Sequence, residues 1–235
     1  MNQKIVVFTG AGISAESGLG TFRDTGGIWE QFRIEDVCTA EAWQHHPERC
    51  VEFYNMRRRD ALAAMPNAAH EAIARLQQVF PSTQVITQNI DNLHERAGSQ
   101  NVLHLHGEIT KLRSQTNPSA LVDLKGWEQR YGECHADGSI LRPHIVFFGE
   151  DVPNFPLACE MASQADIMIV VGTSLNVYPA ASLLMYAPAH AEIYLIDPNE
   201  PDLSYYADRI GYIQAKATEG VPALVEALIE EMHHK

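Results

Sequence analysis

The sequence predicts an α/β fold: an open parallel sheet with helices on both faces, plus a smaller lobe formed from two insertions. Three observations predict it. Short apolar runs rich in β-branched residues recur along the chain, these runs are continuous and not alternating, and helical patterns separate several of them. At 235 residues and 46% hydrophobic, the chain is long enough to bury a large core.

The strands are the clearest of these elements. A continuous apolar run is typical of a strand buried on both faces, as in a parallel sheet. The runs lie at 4–10, 84–89, 102–105, 145–148, 167–172 and 193–197. Helical patterns include one that begins after Asn67, a plausible N-cap, and the C-terminal segment EGVPALVEALIEEM.

Two segments interrupt the alternation of strands and helices. Residues 21–65 hold a Gly-rich loop and helical patterns, and residues 110–142 are polar and rich in turns. We expect them to pack together as a small lobe on a large lobe made of 1–20, 66–109 and 143–235, within a single domain. The candidate core of the small lobe is Leu112, Leu121, Leu124, Trp127, Tyr131 and Leu141.

Charge and cysteine content limit the possible partners and location. With 17 basic and 30 acidic residues, the net charge of -13 argues against nucleic acid or an anionic membrane as partner. The first residues read as a strand and not a signal peptide, and no run approaches the ~20 apolar residues of a membrane helix. The cysteines are widely spaced, which fits reduced thiols in a cytoplasmic protein: Cys38, Cys50, Cys134 and Cys159.

The loop after the first run, GAGISAESGLGTFRD, carries a nucleotide-binding pattern. Gly10, Gly12 and Ala15 fit G-x-G-x-x-G/A, in which glycines let the backbone approach a pyrophosphate. The acidic residue expected at the end of a second strand ~20 positions later is missing, because that region reads TGGIWEQF and has no strand pattern. The loop is therefore either a variant dinucleotide site or a tight turn.

Polar residues follow two further strand ends. Gln88, Asn89 and Asp91 come directly after the run at 84–89, where capping of the next helix explains one of them but hardly all three. Small residues with free backbone N–H groups end the run at 167–172, namely Gly172, Thr173 and Ser174. Together these loops predict a binding site for an extended anionic ligand at one edge of the sheet.

Two histidines occupy alternate positions of VLHLHGEI. His104 and His106 should therefore point to one face, with Gly107 keeping the backbone beside His106 open. A single strand histidine is more often structural than catalytic, although imidazole is well suited to acid–base chemistry near neutral pH. The spacing alone leaves both interpretations open.

Six motifs taken together are more specific than any one of them. GAGISAESGLGTFR, QNIDNLH, the HG of LHGEI, RPHIVFFGE, GTSLNVYPAA and KATEGVPAL occur in an order and at spacings that resemble the sirtuins, the NAD-dependent protein lysine deacylases. The resemblance covers essentially the whole chain. It implies a Rossmann-like large lobe, a small lobe formed from the two insertions, and NAD as cofactor.

The resemblance also implies roles for individual residues. The NAD-binding loop would comprise Gly10, Ala11, Gly12, Ser14, Phe22 and Arg23. The groups around the nicotinamide ribose and carboxamide would be Gln88, Asn89, Ile90 and Asp91. The adenosine half would contact Gly172, Thr173 and Ser174, with Asn199 and Ala217 as weaker matches at the adenine end.

For the reaction, the resemblance implies His106 as general base, with Asn89 as the second catalytic residue. The acyl-lysine oxygen would attack the ribose, nicotinamide would leave, and a ribose hydroxyl deprotonated with the help of His106 would take over the acyl group. The products would be nicotinamide, free lysine and O-acyl-ADP-ribose. A substrate peptide would bind as an added strand, along the segment formed by Val146, Phe148, Gly149, Glu150 and Val177.

The stretch FYNMRRRD suggests an acyl preference. On a helix, Tyr54 and Arg57 share a face, whereas Arg58 and Arg59 point elsewhere and are expected to be surface charges. An exposed basic turn paired with nearby acids is the simpler interpretation. Tyr-x-x-Arg, however, resembles the pair that recognises succinyl, malonyl or glutaryl groups in one sirtuin class, since a guanidinium and a phenol can bind a distal carboxylate. We therefore expect removal of acidic acyl groups in preference to acetyl, with acetyl removal retained.

One feature departs from the family pattern. Most sirtuins carry two CxxC pairs that hold zinc between the catalytic His and the FGE motif, whereas residues 108–142 contain only Cys134. No zinc is expected, as in bacterial sirtuins that lack these cysteines. Cys134, His135 and Asp137 could recruit a metal only with ligands from elsewhere, and a polar turn is the simpler interpretation.

Two other functions remain compatible with these motifs. A related enzyme could transfer ADP-ribose or hydrolyse NAD, because cleavage of the nicotinamide bond is common to all of these reactions. A non-catalytic nucleotide sensor would need the strand-end loops but not His106.

Overall fold

The computed structural model describes residues 3–20, 32–173, 175, 178–199 and 209–234. Its main element is a six-stranded, all-parallel sheet in the order β3-β2-β1-β7-β8-β9. The strands are β1 (Ile5–Thr9), β2 (Gln84–Thr87), β3 (Val102–His104), β7 (Ile167–Val171), β8 (Glu192–Ile196) and β9 (Ile210–Ile213). The predicted α/β class with a parallel sheet is confirmed.

Both faces of this sheet are buried, which explains the continuous apolar runs. Along β1, Ile5 and Val7 belong to one core cluster, whereas Val6 and Phe8 belong to the cluster on the opposite face. The first cluster is covered by α5 (Ala68–Val79) and α8 (Ala217–His233), and the second by α7 (Phe155–Ala162) and a 3-10 helix (Ala180–Tyr186). Asn67 caps α5 as predicted, by accepting from the backbone N–H of Ala69.

A second, antiparallel sheet of three strands has the order β5-β4-β6. It consists of β4 (Gly107–Ser114), β5 (Leu121–Asp123) and β6 (Leu141–Ile145). The prediction of a parallel strand at 145–148 is therefore wrong: the chain at 141–145 pairs with β4 instead. The sequence pattern also missed β4, because its buried residues alternate with partly exposed ones, and β9, because it is short and only partly buried.

Helix α1 (Gly12–Ala15) packs against α8, and its Ile13 belongs to a core cluster of the large sheet. Four other helices pack beside the small sheet or share its core: α2 (Ile34–Val37), α3 (Ala40–His45), α4 (Pro47–Ala63) and α6 (Leu93–Arg96). Their shared core contains Val37, Trp43, Phe53 and Phe147, together with Ile109 of β4. The lobe boundaries inferred from the sequence stay a prediction.

The predicted core of the small lobe is only partly correct. Leu112 and Leu141 are buried, but Leu121, Trp127 and Tyr131 are 43%, 43% and 40% exposed. Leu124 is partly buried. Leu121 lies in β5, an edge strand of a small sheet without a covering layer, and Trp127 and Tyr131 lie in the irregular segment that follows this strand.

Among the described helices, none combines the length and the apolar character needed to cross a bilayer.

Candidate active site

The site begins where the strand order reverses. β1 lies between β2 and β7, and ligands of open α/β sheets bind at the carboxyl ends of the strands at such a point. The loops after β1 and β7 are joined by hydrogen bonds from the backbone N–H of Gly10 to Val171 O at 2.9 Å and from that of Gly12 to Gly172 O at 2.8 Å.

This contact explains the glycines of the first loop. A Cβ atom on Gly12 would lie 2.6 Å from the Cα of Gly172, and one on Gly10 would lie 2.8 Å from the Cβ of Thr173. The glycines are therefore required by the approach of two loops to each other. Their direct contact with a cofactor, like that of the partly exposed Ala11, stays a prediction.

The loop after β2 contributes a buried polar cluster. The Ser14 hydroxyl donates to Asp91 Oδ2 at 3.0 Å and accepts from Asn89 Nδ2 at 3.1 Å. Asp91 Oδ1 accepts from the backbone N–H of Leu93, which begins α6. Burial raises the pKa of Asp91, although the bonds from Leu93 and Ser14 oppose the shift. These bonds orient Asn89 and leave its Oδ1 without a partner among the described residues.

Gln88 connects this loop to the β7 loop. Its Nε2 donates to the Thr173 hydroxyl at 3.0 Å, and that hydroxyl also accepts from the backbone N–H of Leu175. Asn199 follows β8 and is exposed, whereas Ala217 is buried at the first position of α8. Both lie beyond the carboxyl ends of neighbouring strands, so they share the sheet edge with the polar loops.

Four of the predicted site residues lie outside the part of the chain that the structure describes: Phe22, Arg23, Ser174 and Val177.

His106 lies beside the loop that follows β2. Its Nδ1 donates to the backbone carbonyl oxygen of Gln88 at 3.0 Å, because a carbonyl can only accept. Nε2 is then the basic nitrogen, and it has no partner in the described part of the chain. Burial lowers the pKa of His106, with the bond to Gln88 opposing, so the ring is neutral at pH 7. The arrangement suits a general base.

His104 has a different environment. Both of its nitrogens face acceptors, with Nδ1 2.8 Å from Asn89 O and Nε2 2.8 Å from Glu95 Oε1. Burial lowers the pKa of His104, but the bond to Glu95 and its charge outweigh that effect, so the pKa is raised. His104 thus fixes the backbone of Asn89, a role that the sequence pattern could not separate from catalysis.

Gly107 does not open the backbone beside His106 as predicted. Gly107 has a φ of +88°, in the left-handed region that favours glycine, and it lies against β6. An added Cβ would collide there with the carbonyl group of His144. The glycine therefore permits the close pairing of β4 and β6. Among the described residues, the backbone of β6 is what leaves no room for a side chain at position 107. The glycine is therefore explained by strand pairing and not by access of a ligand.

The segment 146–150 runs from His106 towards α3. The backbone N–H of Val146 donates to His106 O at 3.0 Å, and that of Phe148 donates to Cys38 O at 2.8 Å. Phe148 O accepts from the N–H of Ala40. In the described part of the chain, Val146 O and the N–H and C=O of Gly149 are left without partners.

Glu150 supports this segment. Its carboxylate accepts from both Nη atoms of Arg142, at 2.7 and 3.1 Å, and from the backbone N–H of Phe147 at 2.9 Å. Arg142 in turn lies 4.3 Å from the Phe147 ring centroid and 5.4 Å from that of Trp43. The sequence pattern did not identify Arg142. The one feature of the sequence that points to Arg142 is a charged residue next to Pro143 in a mostly apolar stretch, the later strand β6.

Tyr54 and Arg57 of α4 approach the other side of Phe147. The Tyr54 ring lies 5.7 Å from that of Phe147, and burial raises the pKa of its hydroxyl, with the nearby Cys38 thiol adding to the shift. Arg57 is partly buried and close enough to Cys38 to favour its thiolate, although burial raises the Cys38 pKa to about 11. Among the residues described, Arg57 has no hydrogen-bond or ion-pair partner.

The prediction that Arg58 is a surface charge is wrong. Its side chain is 0% exposed, and it donates to backbone carbonyls of other elements, at 2.6 Å to Ile109 and 2.8 Å to Trp127. Arg59 is exposed as predicted, with its guanidinium 6.0 Å from the Trp127 ring. Arg58 is buried because carbonyl acceptors from distant parts of the sequence reach it in the fold. The spacing of residues along one helix cannot show such contacts.

The segment around Cys134 forms a polar turn. Asp137 accepts from the Ser114 hydroxyl at 2.6 Å, and His135 Nδ1 lies 3.2 Å from Asp137. Within the described ranges there is no group of three or more His, Cys, Asp or Glu side chains placed to hold a metal ion.

These features define an α/β enzyme with a nucleotide-type site at the switch point of its sheet and a neutral histidine beside it. The profile of the Sir2 family matches residues 10–179. The NAD-dependent protein deacylase of Bacteroides thetaiotaomicron is 48% identical over 232 residues, which are 97% of this chain and 98% of that protein. The NAD-dependent protein deacylase of Aggregatibacter actinomycetemcomitans is 53% identical over 194 residues, 83% of this chain and 92% of that protein.

A crystal structure of a Sir2 homolog–NAD complex superposes with a TM-score of 0.88 at 37% identity, covering 97% of this chain and 90% of that one. The chain belongs to the Sir2 family.

Proposed function

We propose that this Sir2 family member, an NAD-dependent protein deacylase, removes succinyl and malonyl groups from lysine side chains in preference to acetyl groups. The observation that carries the preference is the partly buried Arg57, which has no anionic partner among the described residues and, like Tyr54, lies close enough to Cys38 to affect the pKa of its thiol. A partly desolvated guanidinium without a counter-ion favours an anionic ligand.

The chemistry of the pair supports a carboxylate ligand. Burial raises the pKa of Tyr54 well above its usual value of 10.0, so the phenol stays protonated and can donate a hydrogen bond. A carboxylate at the distal end of the acyl chain can accept from both the guanidinium and the phenol. An acetyl group ends in a methyl and offers neither bond.

NAD supplies, when bound, a ribose carbon that becomes electrophilic as nicotinamide leaves. The residues at the sheet edge suit that cofactor, because Asn89 Oδ1, which no described residue binds, and the carboxylate of Asp91 are acceptors for ribose hydroxyl or carboxamide donors. His106 accepts a proton at Nε2, since Nδ1 is held by Gln88 O. The ordered chain Asn89–Ser14–Asp91 keeps the acceptors fixed while the proton moves.

The open backbone groups of the 146–150 segment support binding of an extended peptide. Val146 O and the Gly149 backbone can accept and donate main-chain hydrogen bonds, which a substrate supplies whatever its sequence. Glu150 is proposed to act indirectly, because Arg142 and Phe147 N already occupy its carboxylate. Acyl-lysine proteins are the substrates this arrangement suits.

The test compares succinyl-lysine and acetyl-lysine versions of one peptide at saturating NAD. In the wild type, kcat/KM should be higher for the succinyl peptide, with nicotinamide and O-acyl-ADP-ribose formed in equal amounts. Arg57→Met should lower kcat/KM for the succinyl peptide roughly 10- to 100-fold, the loss of a charged hydrogen bond, and leave the acetyl value within about threefold.

Arg59→Met is the matched control, because Arg59 is an exposed arginine of the same helix. Unchanged desuccinylation by Arg57→Met would contradict the acyl preference. ADP-ribose formed without deacylated peptide would instead support NAD hydrolysis, and absence of turnover would support a nucleotide sensor. The cytoplasmic location expected from the sequence stays a prediction.

A further inference from the structure

Arg58 is a fully buried arginine next to the proposed acyl-recognition residue. Its Nε donates to Ile109 O at 2.6 Å, and its Nη1 donates to Trp127 O and to Asn55 Oδ1, both at 2.8 Å. All three acceptors are neutral, and no carboxylate pairs with Arg58 in the described part of the chain. Burial lowers the pKa of Arg58 to about 10, so the group is still a cation at pH 7.

Asn55 extends this contact into the small sheet. Its side chain makes a reciprocal pair with the backbone of Gln129, donating to Gln129 O at 2.8 Å and accepting from Gln129 N at 2.9 Å. The buried Gln129 side chain then donates to Leu141 O of β6 at 2.8 Å. Through one Arg and one Asn, helix α4 is thus bonded directly to two segments of chain, at 109 and at 127–129, and Gln129 extends the second contact to β6.

Hydrogen bonds also connect Arg58 to the loop after β2, which carries Asn89 and Asp91. Ile109, which accepts from Arg58, donates its own N–H to Ile90 O at 2.8 Å. Ile90 lies between Asn89 and Asp91. Two successive hydrogen bonds therefore link the helix that carries Tyr54 and Arg57 to the loop that orients Asn89.

We propose that Arg58 is a positioning residue for acyl selectivity: its buried guanidinium sets the rotation and height of α4, so that Tyr54 and Arg57 reach the distal carboxylate of the acyl group. The proposal rests on the acyl preference argued above. Tyr54 and Arg58 lie four residues apart and so share a face of α4, contrary to the expectation that Arg58 points away from Tyr54, and Arg57 is the neighbour of Arg58.

The planar guanidinium is the property that matters. It donates in two directions at once, to β4 and to the segment at 127, which opposes both rotation and sliding of the helix. A buried cation without a carboxylate is costly, so packing alone would favour an apolar side chain here. A lysine could keep the charge and one bond but not the fork.

The experiment measures kcat/KM for the succinyl and acetyl peptides in Arg58→Lys and in the milder Asn55→Ala, with Arg59→Lys as the matched control. The ratio of the succinyl to the acetyl value should fall about tenfold in Arg58→Lys, severalfold in Asn55→Ala and less than twofold in Arg59→Lys. Thermal denaturation of each variant ensures that folded protein is compared. Equal loss for both peptides, or an unchanged ratio, would show a purely structural role and overturn the proposal.

A double variant separates this inference from the proposed function. In an Arg57→Met background, Arg58→Lys should lower the ratio much less than it does alone, because Arg57 is gone and only Tyr54 is left to be positioned. An additional tenfold fall in that background would contradict positioning through Arg57. If Arg57→Met alone leaves the ratio unchanged, the acyl preference itself fails. If Arg57→Met lowers the ratio and Arg58→Lys does not, only the role of Arg58 fails.

Discussion

The imidazole of His106 donates from Nδ1 to the carbonyl oxygen of Gln88 at 3.0 Å, which leaves Nε2 as the basic nitrogen. Burial lowers the pKa of this ring below 6.5, and a general base acts in its neutral form. We therefore expect the midpoint of the acid limb of the kcat/KM profile to lie below pH 6.5, with a decrease that approaches tenfold per pH unit at still lower pH. A profile that already falls at pH 7.5 would contradict this assignment.

Removal of the same ring gives a second test. His106→Ala should lower deacylation by roughly 10²- to 10⁴-fold, the usual contribution of a general base. His104→Gln, a change at the neighbouring histidine, should retain more activity, because His104 acts on the backbone of Asn89 and not as a base. Full activity of His106→Ala would rule out the proposed role.

The close approach of the two strand-end loops predicts a stability effect at Gly12. Gly12→Ala would place a Cβ 2.6 Å from the Cα of Gly172, so the loops must separate, at a cost of about 2 kcal/mol or more in the free energy of unfolding. Gly211→Ala in β9 is the control, because its Cβ would meet no atom closer than 3.4 Å. Chemical denaturation measures both, and equal stabilities would contradict the loop contact.

The bidentate pair of Glu150 and Arg142 should contribute more to stability than a surface pair. Glu150→Gln leaves the 6%-exposed Arg142 without a counter-charge, and we expect a loss of about 2 kcal/mol. Glu108→Gln breaks the more exposed Glu108–Lys111 pair and should cost less than ~1 kcal/mol. Equal effects in denaturation experiments would show that the buried pair has no special role.

Two buried histidines predict acid sensitivity. His70 and His94 lie in edge-to-face contact at 5.0 Å, and burial lowers the pKa of His70 to about 4 and that of His94 well below 6.5. Above pH 6.5 both the folded and the unfolded states are neutral at these sites. Between pH 6.5 and about 4, the unfolded chain binds protons that the folded protein excludes, so stability falls as the pH falls.

For His70 alone, the loss in the free energy of unfolding should reach about 2 kcal/mol at pH 5. His70→Gln removes the titration and keeps an acceptor for the Asn67 N–H, which His70 Nδ1 now binds. The variant should therefore lose less stability between pH 7 and pH 5 than the wild type does. His233→Gln, at an exposed position of α8, should follow the wild type, and identical pH profiles for all three would contradict the prediction.

Local sequence was sufficient for the parallel sheet and for several strand-end loops. β1, β2, β7 and β8 are continuous apolar runs because both faces of the sheet are covered, and that pattern is visible without a structure. The polar residues after β2 were assigned to one site because carboxyl ends of parallel strands share an edge, and the Ser14–Asn89–Asp91 contacts do bring residues of two such loops together. The small sheet was missed because its strands are short, alternating and antiparallel.

What the sequence by itself determined is therefore the fold class, the family resemblance and the order of the polar loops, since these depend on local pattern and spacing. Only the tertiary structure decided which arginines of FYNMRRRD are buried and which have hydrogen-bond acceptors. Arg58 is buried because its acceptors lie 51 and 69 residues further along the chain, at Ile109 and Trp127. Arg57, one position earlier, has no such acceptor among the described residues, and that difference between neighbours comes from packing that local spacing does not encode.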